Sequence, residues 1–296
     1  MTGAGSATVA FTVESAFNAG PDATDPVWYQ PGTDITVGDL SVENALQRVR
    51  NPDDATPMGS REGNFEGAAS VQFTLTDDNW HALIPGLASG AALSDAGVKA
   101  PSSAWYFGVD IGSGSEARTP TGAVVIDASV NYQEGQNVTV ELTIIYADES
   151  DHLPGEIVQP SVDQVYTHHG TDLIVDTVGQ SMLQSATLSM SNLARFRPQQ
   201  DRHPYDAVVG AIEPSFQSAA IFDGPDQLEL AYGGTTPSDT VDTADGTLTF
   251  ENGLAETIEY SLTDLQPTSY SWDALVDPDT DLTEPITYHV ADVGVV

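Results

Sequence analysis

Apolar and polar residues alternate with a period of two along most of the chain, a pattern typical of half-buried β-strands. The clearest run has apolar residues at Val138, Val140, Leu142, Ile144 and Tyr146. The same alternation covers residues 9–13, 71–75, 248–250, 258–262 and 286–290. Turn signals such as Pro31-Gly32 and Asp245-Gly246 separate the runs. Many short strands with regular turns predict a mainly β fold, either a sandwich or a barrel.

Two short helices are predicted between these strands. The first lies around Trp80, where residues 76–86 begin with acidic residues and end in Pro-Gly. The second lies around Leu228, after Pro225, which a first helical turn tolerates.

The predicted elements occur twice in the same order. Residues 40–44 (LSVEN) correspond to residues 188–192 (LSMSN), and the tripeptide at 48–50 (RVR) corresponds to that at 195–197 (RFR). A polar stretch containing proline, a strand and a short helix follow in both cases. This internal repeat predicts two tandem domains, residues 1–150 and 151–296, each with one flanking helix.

The charge of the chain is strongly one-sided. It contains 44 acidic and 8 basic residues, for a net charge of −36, and Lys99 is its one lysine. Such a surface repels itself at ordinary ionic strength, and molar salt shortens the screening length to roughly 3 Å. The composition therefore predicts a halophilic protein. It also argues against tight binding of nucleic acid, which requires clustered Lys and Arg.

Candidate catalytic residues are scarce, so no enzymatic activity and no cofactor are expected. The chain has no cysteine, and no nucleophile elbow or phosphate-binding glycine loop is found. His168 and His169 are adjacent, and on a strand their side chains would point to opposite faces, so the pair is poorly suited to chelate a metal. No apolar stretch approaches the roughly 18 residues of a membrane span, so no membrane anchoring is expected.

A weak candidate metal site is the acidic run at residues 277–284. Asp277, Asp279 and Asp281 alternate as at the start of a calcium loop. The run lacks the glycine at the sixth position, and its last carboxylate follows too soon. A solvated acidic loop is the competing interpretation.

The arginines are the candidate functional residues. Because cations are scarce, each one is expected to be paired or buried. Six of them open or lie within the two polar stretches that follow the repeated strands: Arg48, Arg50, Arg61, Arg195, Arg197 and Arg202. They could pair with carboxylates of the same chain, or with carboxylates of a neighbouring subunit through bidentate contacts. The sequence leaves both possibilities open.

The repeated order of strand, long loop, strand, helix and further strands resembles the tail tube proteins of tailed viruses. In that family a β-sandwich or barrel carries one flanking helix and a loop that stacks on the next ring. Neighbouring sheets join around a channel for DNA. Together with the acidic composition, the resemblance implies a siphovirus-like virus that infects a haloarchaeon.

Two domains in one chain imply a ring of three copies with pseudo-sixfold symmetry, and a ring of six copies is the second choice. The resemblance also implies contacts with other tail proteins, a place in the virion tail after assembly in the host cytoplasm, and DNA that passes without specific binding.

Two other functions remain open from the sequence. One is a different virion protein, such as a baseplate hub, a tail terminator or a capsid decoration protein. The other is a cell-surface carbohydrate-binding module, in which some tryptophans would stack on sugars: Trp28, Trp80, Trp105 and Trp272. For Trp80, the face of the predicted helix favours core packing.

Overall fold

A computed structural model describes residues 7–22, 26–50, 52–53, 56–87, 90–110, 115–180, 182–254, 256–277 and 279–296. Strands account for most of the described residues, which confirms the prediction of a mainly β protein. Neighbouring strands in the described ranges are antiparallel, except that Trp28–Tyr29 and Ile157–Val158 pair in parallel.

The strands before residue 150 are β1 (Ala7–Val13), β2 (Trp28–Tyr29), β3 (Thr33–Glu43), β4 (Gln47–Arg50), β5 (Pro57–Arg61), β6 (Glu66–Thr74), β7 (Ser103–Asp110), β8 (Ser115–Arg118), β9 (Pro120–Thr121), β10 (Val124–Gln133), β11 (Thr139–Tyr146) and β12 (Asp148–Glu149). Among the described residues of this half, 3-10 helices lie at Asn79–Leu83 and Leu93–Asp95.

The later strands are β13 (Ile157–Val158), β14 (Thr171–Val175), β15 (Val178–Gly179), β16 (Leu183–Ser191), β17 (Ala194–Arg197), β18 (Asp206–Val209), β19 (Glu213–Ile221), β20 (Ala244–Glu251), β21 (Thr257–Tyr270), β22 (Thr283–His289) and β23 (Asp292–Val295). The α-helix α1 spans Asp226–Tyr232, and 3-10 helices lie at Val162–Gln164 and His168–Gly170.

One long sheet and one shorter sheet form the body of the molecule. The long sheet has the order β15-β14-β20-β21-β22-β19-β16-β10-β11-β6-β3, with β23 also paired to β21. The shorter sheet has the order β13-β2-β1-β7-β8. Neither sheet closes into a barrel within the described ranges, so the sandwich is the appropriate description.

The long sheet contains the same arrangement of four strands twice. In the first, β3 pairs with β6, β6 with β11 and β11 with β10. In the second, β16 pairs with β19, β19 with β22 and β22 with β21. Both arrangements carry a β-bulge at the same place, between Val125 and Asp127 in β10 and between Pro267 and Ser269 in β21.

The two arrangements join directly, because β10 pairs with β16. Residues on either side of position 150 therefore share one sheet. They also share one apolar core, which includes Phe73, Trp105 and Val140 from the first half and Phe216 and Tyr260 from the second.

The predicted helix around Trp80 is a single 3-10 turn. Trp80 and Leu83 are buried on its inner side, as the apolar spacing indicated. The first free amide, that of Asn79, donates to Oδ1 of Asp77 at 3.0 Å. The second predicted helix is α1. It ends at Gly233, whose φ of 72° and contact with the carbonyl of Thr240 leave no room for a side chain.

The strand expected after the second polar stretch is divided. It consists of β18 and β19, with a break around Gly210. The amide of Gly210 donates to the carbonyl of Leu193, and a Cβ there would lie 2.0 Å from the carbonyl oxygen of Asn192. This close approach turns the chain from a hairpin into the long sheet.

Candidate functional site

The two long polar stretches predicted as loops are β-hairpins. The first consists of β4 and β5, and the second of β17 and β18. Each hairpin lies between the first and second strands of one four-stranded arrangement. In both hairpins the backbone amides bond across the pair of strands. The side chains of the first hairpin face water on both sides, whereas Ala194 and Ala207 of the second pack in an apolar cluster with Val124.

The first hairpin is exposed along its whole length. Every residue of β4 and β5 is exposed, including the apolar side chains of Val49 and Met58, and Met58 is 68% exposed. A two-stranded hairpin that packs against nothing is marginally stable in water. The residues of β4 and β5 thus contribute nothing to the buried core of the described chain.

Five of the six predicted arginines lie on these hairpins and are exposed. Arg48 and Arg50 lie on β4, Arg61 ends β5, and Arg195 and Arg197 lie on β17. None of the five has an ion-pair partner within the part of the chain that the structure describes. In a chain with so few cations, their guanidinium groups remain available for another molecule.

Arg202 differs from the other five because it has partners within the chain. Its guanidinium donates to Oδ1 of Asn44, lies 4.0 Å from a carboxylate oxygen of Glu62 and lies 5.7 Å from the ring centre of Phe65. The carbonyl of Arg202 also accepts the amide of Phe65 at 3.0 Å. Arg202 therefore holds the second hairpin against the root of the first.

Sequence reasoning did not single out Arg118, which links β3 to the end of β11 and to β12. Its guanidinium donates to Glu149, to the hydroxyl of Tyr146 at 2.6 Å and to the carbonyl of Leu40 at 2.7 Å. The hydrogen bond with Glu149 raises the pKa of Arg118 above its ordinary value. Arg118 could have been noticed as one of the few cations in the chain. It has no matching arginine in the other half, so the repeat did not point to it.

The candidate metal site is not assembled in the structure. The Oδ1 atom of Asp277 accepts the amide of Asp279 at 3.1 Å, as in an ordinary turn. No group of three or more potential ligands that could hold a metal occurs among the described residues. The site therefore stays an unsupported candidate.

Three of the four tryptophans are unavailable for sugar stacking. Trp28, Trp80 and Trp105 are completely buried, whereas Trp272 is 42% exposed. A carbohydrate-binding surface built on stacked tryptophans is thus absent from the described surface.

Trp272 borders an uncharged groove beside the end of β21. The groove has a volume of about 510 Å³ and lies between α1 and residues 267–272. Leu228 and Tyr232 line it from the helix, and Pro267 and Trp272 line it from the strand. For a chain with 44 acidic residues, a groove without a charged lining residue is distinctive.

The strand beside this groove has an open edge. Up to Leu265, β21 pairs with β20, and beyond that residue its only strand partner in the described ranges is β22. The strand β3 provides the other open edge of the four-stranded arrangements, at the end of the long sheet. Open edges of this kind readily accept a further strand.

Comparison with known proteins gives one family. A family model described as phage tail tube protein matches residues 4–262, which is most of the chain. No curated protein matches the chain. Among the described residues, no helix has the length and hydropathy needed to cross a bilayer.

Proposed function

The chain belongs to the phage tail tube protein family, whose members are structural components of virion tails, and on that premise we propose that three copies form each ring of a tail tube. The rings stack into the conduit through which DNA leaves the virion. The protein acts as a building block without catalytic activity.

The observation that carries this proposal is the pairing of β10 with β16, which places two similar four-stranded arrangements side by side in one sheet. Each arrangement occupies one of six equivalent positions around the channel. Residues 1–150 and 151–296 are the two tandem domains, produced by internal duplication. A ring that closes by rotation requires a head-to-tail interface, and three copies supply six positions.

The hairpins provide the contacts between stacked rings. The five exposed arginines, Arg48, Arg50, Arg61, Arg195 and Arg197, pair with carboxylates of the adjacent ring. Their lack of intrachain ion pairs in the described structure supports this role. Arg202 was predicted to make the same kind of contact, and its bonds to Asn44 and Phe65 support a role in orienting the hairpins.

The acidic composition serves two purposes in this proposal. It keeps the protein soluble and folded in the molar salt of a haloarchaeal host. It also leaves the channel without cationic groups that would hold phosphates, so DNA slides through without specific binding. A ring of arginines facing the channel in the assembled tube would contradict this second role.

The test is to purify the protein in molar salt, image it by electron microscopy and measure the mass of single rings. Hollow tubes of stacked rings with three chains per ring would support the whole proposal. Six chains per ring would keep the tube and refute the three-chain ring. Rings that never stack would indicate a hub or a terminator instead, and a monomer at all salt concentrations would refute the tube.

A further inference from the structure

The repeated arrangement lets each residue of the open edge be matched to a residue whose partner is known. In the first arrangement, Ala128, Val130 and Asn131 of β10 face Leu142, Val140 and Thr139 of β11. In the second, Tyr270 faces Ile286 and Asp273 faces Thr283. Counting from the shared bulge, Tyr270 corresponds to Ala128, Ser271 to Ser129, and Trp272 to Val130.

The edge at residues 128–130 of β10 is covered by another strand of the same chain. The β10 residues Ala128, Ser129 and Val130 pair with Met190, Ser189 and Leu188 of β16. The first-half counterpart of β16 is β3, because β3 pairs with β6 as β16 pairs with β19. In that correspondence Met190 and Ser189 match Val42 and Ser41. Leu40, the sequence counterpart of Leu188, lies in a bulge of β3 between Gly38 and Ser41, where its carbonyl accepts Arg118.

The corresponding edge at residues 266–272 has the features of a strand edge that can pair with a further strand. The amides of Ser271 and Asp273 donate to the carbonyls of Pro285 and Thr283 in the direction of β22. Because backbone groups alternate in an antiparallel sheet, those of Tyr270 and Trp272 face the open side. Residues 266–272 are all uncharged, although open edges are usually protected by charged side chains.

The side chains at the internal junction are buried, whereas their counterparts at the open edge and on β3 are accessible to solvent. Val130 and Leu188 face each other and are completely buried. Their counterparts Trp272 and Leu40 are both at least partly accessible, and Val42 is 37% exposed. A strand laid along the groove beside α1 would bury all three side chains.

We propose that the edge at residues 266–272 pairs with β3 of a second copy of this chain, with Tyr270 opposite Val42, Ser271 opposite Ser41 and Trp272 opposite Leu40. The occupant is a second copy because β3 is the counterpart of β16, the strand that covers the matching edge inside the chain. This assignment rests on the proposed ring and specifies which strands close it and in which register.

The junction between copies has a polar support that the internal junction lacks. Where the first half has the apolar residues Val140, Ala128 and Val130, the second half has Glu284, Tyr270 and Trp272. The Tyr270 hydroxyl donates to Oε2 of Glu284 at 2.8 Å, and Nε1 of Trp272 donates to that hydroxyl at 2.7 Å. This chain of hydrogen bonds orients the indole of Trp272 before the second copy binds.

Paired cysteines can test the register, because the native chain has no cysteine. Ser271 and Ser41 are both exposed. Since the backbone of Ser271 bonds towards β22, its pairing with Ser41 would be non-hydrogen-bonded, with Cα atoms about 4.5 Å apart. That separation suits a disulfide. The experiment compares oxidation of the S271C/S41C variant with that of S271C/E43C, in which the register is shifted by two residues.

The expected result is rapid disulfide formation in S271C/S41C, with products that end at three linked chains, and at least tenfold slower reaction in S271C/E43C. Faster reaction of the shifted pair, or no cross-linking at all, would overturn the assignment.

The variant W272A gives a second test. Its rings should be lost while the far-ultraviolet circular dichroism of the chain is unchanged, and intact W272A rings would also count against the assignment.

The result is separable from that for the proposed function. Tubes of reduced wild-type protein without cross-linking in S271C/S41C would preserve the tube and refute this junction. Cross-linked chains that never form rings or tubes would preserve the junction and refute the tube.

Discussion

Nε2 of His81 lies 2.8 Å from the hydroxyl of Tyr260, and the two residues come from opposite halves of the chain. Both are buried in the shared core. Burial lowers the pKa of His81 from its ordinary value of 6.5 to about 4. The imidazole is therefore neutral in the folded protein at every pH above that value.

The lowered pKa of His81 predicts that the folded protein loses stability on acidification. Between about pH 6.5 and pH 4 the unfolded chain binds a proton at His81 and the folded chain does not. The folded state should lose about 1.4 kcal/mol per pH unit in this window from this residue. The variant H81Q should lack that part of the pH dependence in urea unfolding measured in molar salt. The exposed His169 gives the control H169Q, which should behave as wild type.

Glu284 should have the opposite dependence. Burial raises the pKa of its carboxyl, Asp226 and Asp223 raise it further, and the hydrogen bond from Tyr270 lowers it. Since the folded state favours the protonated form, wild-type stability should decrease as pH rises through the raised pKa. E284Q should lack this decrease and unfold at a higher temperature near neutral pH. Equal melting temperatures of E284Q and wild type would contradict the prediction, and the exposed Glu251 gives the control E251Q.

Glu14 should be important for the loop that follows β1. It is buried, and its carboxylate accepts the amides of Asn18, Gly20 and Gly122 at 3.0–3.1 Å. A glutamine keeps one acceptor oxygen for Gly20 and Gly122 but turns its NH2 group towards the amide of Asn18, so E14Q should destabilise the fold by about 2 kcal/mol. Denaturant unfolding measures the change. A loss below about 0.5 kcal/mol would mean that water replaces the carboxylate without cost.

Salt should stabilise the protein strongly. With a net charge of −36, the folded state is expected to gain stability as potassium chloride rises from about 0.15 M to about 2 M. Differential scanning calorimetry measures the rise in melting temperature. The same series near pH 4, where many carboxylates are protonated, should give a smaller rise. An equal rise at both pH values would point away from charge screening.

The arginines of the first hairpin should affect stacking more than ring closure. Each ring of three chains would lose three charge-assisted contacts of about 1 kcal/mol each, which would weaken the association of two rings by about two orders of magnitude. R48Q should therefore give shorter tubes in electron micrographs, with rings of unchanged mass. K99Q removes a cation that pairs with Asp206 within the chain and should leave tube length unchanged. Shortening by both variants alike would indicate a general effect of charge.

The strands were predictable because their apolar residues alternate strictly. The alternating residues at 138–146 lie in or beside β11, and those at 286–290 lie in or beside β22. The apolar side chains of both runs face the core, as expected. The first hairpin was not predictable as strands, because no residue of β4 or β5 is buried and no alternation results. The break at Gly210 depends on a contact with Asn192, which sequence spacing does not reveal.

The candidate site was predictable only in part. The scarcity of cations and the repeat drew attention to Arg48 and Arg195, and the structure places both on hairpins with their side chains exposed. The repeat could not identify the edge at Tyr270, because its residues differ in chemistry from their counterparts at Ala128 and Val130. The correspondence is visible only in strand pairing, where the bulge and the register are conserved within the chain.

The pairing of β10 with β16 has a consequence for how the protein unfolds. A chain cut near residue 150 would expose a long strand edge on each fragment and separate His81 from Tyr260. Neither fragment would keep a complete core, so the halves should lose their structure together in a single cooperative transition. Under the proposed duplication, the two halves would then have given up independent folding, and neither half could be exchanged alone between related proteins.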